Sequence, residues 1–265
     1  MARQGKDLWT CAVEDNHGAV VALEVLTLYD GGKTGWLDAL RVHPLAQGRG
    51  LAFLVQETLV QFARDVLQVK QVRSNTAVQN AASRRLFAKC GLVEHKQWGL
   101  AMPAGDIALG DKSQSDGALD AWTSRLATSL PTAGSSPPSL SEYQDSAAGL
   151  FGFFKERLEL EVILQYWKVY DLTLPAVEAL LDSGKHERPW VGRDPGTGEV
   201  CSLSWATWVR DGEGLSAFIT VYHRSDWECL RAHTLMEIER AREQGARMVM
   251  LFYDFECEPE LHGCG

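Results

Sequence analysis

A carboxylate, a two-glycine turn and an asparagine have the types and spacing for chemistry: Asp38, the run Gln47-Gly48-Arg49-Gly50-Leu51-Ala52, and Asn80. Residues 36–42 are strand formers, and period-two alternation predicts that Asp38, Leu40 and Val42 share one face. Pro44 ends that strand. The run 47–52 then packs two glycines into a turn ahead of an apolar-periodic helix. Such a turn points free backbone N–H groups, together with the positive end of the helix dipole, at one spot. Small residues at Gly48, Gly50 and Ala52 let an anion such as a pyrophosphate approach the backbone closely. A Walker loop would need a Lys-Ser/Thr pair after its second glycine, and a dinucleotide fingerprint would need a small residue where Phe53 stands, so neither pattern fits.

The elements that must position these residues follow from periodicity. Leu8 to Glu14 and Ala19 to Tyr29 read as strands joined through Asp15-Asn16-His17-Gly18, and a second turn at Asp30 to Lys33 leads into the strand over 35–42. Leu51, Leu54, Val55, Leu59, Phe62 and Val66 recur at helical spacing. A weak strand over 69–76, a helix over 80–90 closed by Gly91, and a strand over 92–102 complete the first part. Residues 104–147 lose periodicity and gain Gly, Ser and Pro, which predicts a linker, with a short helix over 119–130. Beyond it, a helix over 175–181, paired strands over 200–209 and 215–222, a helix over 226–244 and a strand over 248–255 are expected.

The strand, strand, strand, helix, strand, helix, strand order and two motifs carry a family resemblance. Gln47, Gly50 and Ala52 match the pattern Gln/Arg-x-x-Gly-x-Gly/Ala. Asn80 to Leu92 resembles Asn-x-x-Ala-x-x-Leu-Tyr-x-x-x-Gly-Phe, with Phe87 in place of the tyrosine. Both belong to the GCN5-related N-acetyltransferases (GNAT), and residues 8–102 resemble that superfamily. Within it the chain looks most like the vertebrate histidine N-acetyltransferase family and its relatives. The resemblance implies an α/β (α+β) GNAT acyl-CoA N-acyltransferase fold with a mixed, largely antiparallel sheet over residues 1–103, lacking the family's first strand and first two helices. Residues 104–147 would be the linker, and 148–265 a smaller, degenerate GNAT-like half without the glycine motif.

The resemblance further implies acetyl-CoA as co-substrate, with its pyrophosphate on the amides of Gly48, Arg49, Gly50, Leu51 and Ala52 beside Gln47. The backbone of Leu40 and Val42 would hold the pantetheine as an added strand, and Asn80 would approach from the second helix. Asp38 is then the candidate base for an acceptor amine, the alternatives being a substrate-orienting carboxylate or an ordinary strand residue; Glu24 is a weaker second candidate. Phe87 cannot donate a proton, but a thiolate leaves with little help. Direct attack without an acetyl-enzyme is expected, because no cysteine lies beside Asp38 or the glycine turn in sequence. The acceptor implied is a small amine, the α-amino group of a free amino acid such as histidine. The alternatives are a protein N-terminus or lysine, or a non-catalytic acyl-CoA-binding protein.

Composition narrows the classes. A net charge of −9 argues against non-specific nucleic-acid binding. No stretch approaches the roughly 20 apolar residues of a membrane span, and the start of the chain has no signal-peptide core, so a soluble cytoplasmic protein is expected. The six cysteines lack a framework spacing and read as free thiols. Cys257, His262 and Cys264 fall short of a zinc ligand set, so no metal is expected. Trp205 and Trp208 are read as core residues, and oligomeric state is left open.

Overall fold

The computed structural model describes residues 2–3, 7–101, 139–184, 186–194, 196–212, 214–223 and 227–254. The chain divides into two compact units, Met1–His95 and Lys96–Gly265.

In the first unit a five-stranded sheet runs in the order β1 (Ala2–Arg3), β2 (Leu8–Glu14), β3 (Val20–Tyr29), β4 (Thr34–Val42), β5 (Gln71–Arg73). The β2–β3 turn forms because Asp15 Oδ1 accepts the N–H groups of His17 and Ala19 at 2.8 and 3.0 Å, while Gly18 takes a φ of 80°. Strands β2, β3 and β4 are antiparallel; β5 joins β4 in parallel after helix α1 (Leu51–Asp65). Val55, Leu59 and Ala63 of α1 are fully buried against Leu26, Leu37, Ala22 and Cys11 of the sheet. Each buried leucine contributes about 1.5–3 kcal/mol from apolar burial, so this layer fixes the helix start against the strands. Helix α2 (Ala81–Lys89) ends at Gly91, whose φ of 78° suits a glycine after a helix.

The second unit holds a six-stranded sheet in the order β6 (Trp98–Ala101), β13 (Ala246–Asp254), β12 (Gly214–His223), β11 (Val200–Asp211), β10 (Trp190–Arg193), β7 (Ser139–Glu142). The strand expected over 92–102 thus forms at 98–101, and it pairs antiparallel with β13, not with the first sheet. Residues 139–142, read from composition as linker, pair antiparallel with β10. Backbone pairing therefore assigns both to the second unit, and the expected helix over 119–130 lies outside the described residues. Helices α3 (Ala147–Gly152) and α4 (Leu174–Asp182), the hairpin β8 (Val162–Gln165) with β9 (Lys168–Asp171), and α5 (Trp227–Glu243) complete the unit.

An antiparallel hairpin, a helix and a strand parallel to the hairpin's second strand occur in both units: β3–β4–α1–β5 and β11–β12–α5–β13. Trp205 is fully buried, as expected, stacked on Phe154 at 6.5 Å and donating its indole N–H to Glu187 C=O at 2.8 Å. Burial, with the Arg240 charge adding, pushes His233 down to about 3, so the ring is neutral; it hydrogen-bonds Ser202 Oγ at 2.6 Å and Ser204 Oγ at 2.9 Å. Cys11 and Cys90 are free thiols, but Cys201 is disulfide-bonded. The expectation of uniformly free thiols is corrected there: spacing along the chain says nothing about which cysteines the fold brings together.

Candidate active site

Strand β4 changes character halfway along. Its ladder with β3 pairs Leu37 with Leu26 and Asp38 with Val25, then resumes at Arg41 with Leu23 and Val42 with Ala22. Two residues, Ala39 and Leu40, therefore face one, Glu24. This is a β-bulge, and Ala39 carries its distortion at a φ of 55°. The extra residue shifts the alternation. Val42 packs with Leu37 and Leu26 in the α1-facing core, whereas Asp38 stands on the other face with Val25 and is exposed. The expected single face for Asp38, Leu40 and Val42 is thus corrected, because period two holds only in an unbroken ladder.

The other edge of β4 opens at the same place. Its pairing with β5 covers only Thr34 to Trp36; Ser74 Oγ then donates to Leu37 C=O at 2.8 Å and the ladder stops. Beyond that point no strand among the described residues pairs with this edge of β4, which leads through a short 3-10 turn (Pro44–Ala46) into the glycine run. His43 starts that turn by accepting the Leu45 N–H at 3.3 Å. Gln47 reaches back to Val42 C=O at 3.5 Å.

Gly48 and Gly50 both hold a φ of 77°, left-handed backbone that glycine adopts without strain. Gly50 is the N-cap of α1 and brings no side-chain cap; the first intrahelical bond runs from Leu54 N–H to Gly50 C=O at 3.0 Å. The amides of Leu51, Ala52 and Phe53 therefore precede the helix ladder at its positive end. That arrangement fits an anionic pyrophosphate. Gln47, Gly48, Arg49 and Gly50 are exposed, and Leu51 and Ala52 half-buried. Asn80 caps α2, its Oδ1 accepting the Ser83 N–H at 3.1 Å, which leaves its amide N–H groups as the donors it could offer a ligand.

Glu24, the second candidate carboxylate of the sequence, lies on the neighbouring strand opposite the bulge. It is 1% exposed, in phase with the buried Ala22 and Leu26 on the α1-facing side of β3, and its Oε2 has no hydrogen-bond partner. Burial, with the Asp38 charge adding, pushes its carboxyl up to about 8. The available signal was a glutamate in the buried phase of an apolar strand, since an unpaired carboxylate is almost never fully buried. Burial, with the Glu57 and Glu24 charges adding, pushes the Cys90 thiol up to about 11, which disfavours its thiolate.

The second unit carries a groove of about 610 Å³ bordered by Trp190, Glu187 and α5. Its Arg240 lies over the Trp190 and Trp208 rings and is paired with Glu187 and, at 2.7 Å, Glu237. No group of three or more metal-ligating side chains occurs among the described residues; Cys257, His262 and Cys264 lie outside them.

An open strand edge running into an amide-lined helix start suits an extended ligand with an anionic end. Residues 2–92 match the acetyltransferase (GNAT) family. Among individual proteins, the chain is 27% identical to the histidine N-acetyltransferase of Xenopus tropicalis over 175 residues, 62% of this chain and 48% of that protein. The match thus spans about half the length of the curated relative. Two solved structures share the fold across both units. One is a tandem GNAT protein from the clavulanic acid biosynthesis pathway, with a TM-score of 0.50 and 16% identity over 92% of this chain and 74% of that one. The other is the GCN5-related glucosamine N-acetyltransferase region of a fungal multi-domain GH3 beta-N-acetylglucosaminidase, with a TM-score of 0.52 and 15% identity over 93% of this chain and 30% of that one.

Proposed function

We propose that the protein is an acetyl-CoA-dependent N-acetyltransferase that acylates a small amine, the α-amino group of a free amino acid such as histidine, by direct attack. The observation that carries the reading is the edge of β4 beyond Leu37, with which no strand among the described residues pairs, continuous with the left-handed turn at Gly48 and Gly50. The amides of Gly48 to Ala52, with Gln47 and Arg49 beside them, would hold the pyrophosphate. Leu40 and Val42 would pair with the pantetheine through their backbones, and Asn80 would add donors from α2. A β4 N–H at the bulge would stabilise the oxyanion formed on attack. The histidine acceptor draws its support from the 27% identical relative.

Asp38, exposed beside the bulge, meets the acceptor's ammonium and accepts its proton directly or through water. An α-amine with a pKa near ~8 is largely protonated at neutral pH. Asp38→Asn is therefore expected to lower the rate about 100-fold below the amine's pKa and much less above it. A rate loss equal at all pH values would remove Asp38 from the proton path. A cytoplasmic location is part of this reading, favoured by the free Cys11 and Cys90 and opposed by the Cys201 disulfide.

The reading is tested by thiol release from acetyl-CoA in the presence of free amino acids, peptides and polyamines. Release that saturates with a free amino acid supports it. Saturation only with peptides would move the acceptor to a protein chain, and coenzyme binding without release to any amine would make this a binding protein.

A further inference from the structure

The sheet of the second unit is wider than the helix that covers it. Helix α5 packs Leu230, Ile238 and Ala241 against Ala206 of β11, Ala217 and Ile219 of β12 and Val249 of β13. The edge strands β10 and β7 lie beyond that contact, and the groove of about 610 Å³ runs between them and α5. All of its lining residues belong to the second unit.

A buried hydrogen-bond chain holds the floor of the groove. Glu237 is 1% exposed. Ser204 donates its proton to Glu237 Oε1, so the neutral His233 ring donates from Nε2 to Ser204 Oγ at 2.9 Å and accepts the Ser202 hydroxyl at Nδ1 at 2.6 Å. Glu237 Oε2 accepts Arg240 Nε–H at 2.9 Å and an Nη2–H at 2.7 Å, and Arg240 also pairs with Glu187. The guanidinium lies 5.0 Å over the Trp190 ring and 5.6 Å over the Trp208 ring. The groove's buried cation is thereby committed to two carboxylates.

Three further carboxylates line the same groove: Glu142, Glu239 and Glu243. Five carboxylates against two guanidiniums leave a formal excess of three negative charges there. Glu239 and Glu243 stand four residues apart on one face of α5, both exposed, and neither has an ion-pair partner among the described residues. Like charges at that spacing destabilise a helix, so the fold does not account for them. Glu142 has only a 4.0 Å contact with the half-exposed Arg188. Met236, 37% exposed, shares the α5 face, and with Leu140 it gives the groove an apolar strip.

We propose that this groove binds a small aliphatic diammonium ion, with its ammonium groups on Glu142, Glu239 and Glu243 and its methylene chain on Met236 and Leu140. The volume falls in the range of small-molecule sites, roughly 300–1,000 Å³, which decides against a helix as occupant. No group of three or more side chains that could hold a metal ion occurs among the described residues, so these carboxylates are spaced for an extended cation and not for a point charge. A monoamine would neutralise one end and leave the other uncompensated. The site is independent of the acetyltransferase reading and involves no bond making or breaking.

The test is calorimetric titration of the full chain with hexamethylenediamine and with hexylamine. The diamine is expected to bind one to one and about tenfold tighter than the monoamine. E239Q/E243Q removes two exposed charges that repel each other, so the fold is spared, and it should weaken the diamine about tenfold. M236S changes no charge and should weaken it about threefold. E156Q/E178Q makes the same change of charge at exposed glutamates of the second unit outside the groove, and should bind as wild type does. Equal weakening by the two double variants would reduce the effect to the protein's overall charge and overturn the proposal. So would a monoamine that binds as tightly, no saturation at millimolar diamine, or saturation with a lysine-rich peptide alone, which would assign the groove to a protein partner.

Discussion

Gly50→Val is expected to weaken acetyl-CoA binding by roughly 10–100-fold. The N-cap of α1 holds a φ of 77°, and a β-branched residue there carries about 1–3 kcal/mol of backbone strain, where each 1.4 kcal/mol is tenfold in affinity. A Cβ at Gly50 would meet no protein atom within 4 Å, so the effect arises from conformation and from intrusion into the ligand's space, not from a clash with the fold. Relieving the strain would rotate the peptide units that aim the Gly50 to Ala52 amides. Gly50→Asn separates the two causes, because asparagine tolerates left-handed backbone. It should retain the turn and lose less affinity than valine. Calorimetric titration with acetyl-CoA reads both variants, and a valine variant that binds like wild type would remove this turn from the site.

The second large effect concerns stability. In the unfolded chain the Glu24 carboxyl titrates near its ordinary value of 4.5, and in the folded protein near 8. Below about pH 4.5 both states hold the proton and Glu24 costs nothing. Between the two values the unfolded chain ionises while the native state stays protonated, so stability falls by about 1.4 kcal/mol per pH unit and levels off once the native carboxyl ionises as well. The full span corresponds to no more than about 5 kcal/mol, on the order of a small domain's total stability. Glu24→Gln keeps the shape without the charge. Its first unit should match wild type near pH 4.5 and become progressively more stable than wild type up to pH 8. Amide hydrogen exchange in β3 and α1 follows that unit separately, and a difference independent of pH would show that Glu24 titrates normally.

Much of the fold was legible because it follows from local rules. The β2–β3 hairpin, α1, and the Gly91-closed α2 follow turn chemistry, apolar period and end signals, and they lie within a few residues of expectation. The glycine turn was legible for the same reason, since left-handed backbone is what those glycines are for. The bulge at Ala39 was not: alanine carries no mark of a positive φ, and only the ladder with β3 imposes it. Missing that one extra residue put Asp38 on the same face as Val42. The pairing of β6 with β13 was invisible for a related reason, because strand partners far apart in sequence are chosen by edges and not by composition. The Cys201 disulfide is likewise a matter of proximity in space.

The claim that residues of β4 and the following turn hold acetyl-CoA is tested most directly by backbone amide chemical shifts during an acetyl-CoA titration. The account expects saturable perturbation of Leu40, Val42, the amides from Gly48 to Ala52 and Asn80, with Glu24 and its neighbours on β3 following. Saturable shifts confined to the second unit, or no saturation at millimolar coenzyme, would contradict it.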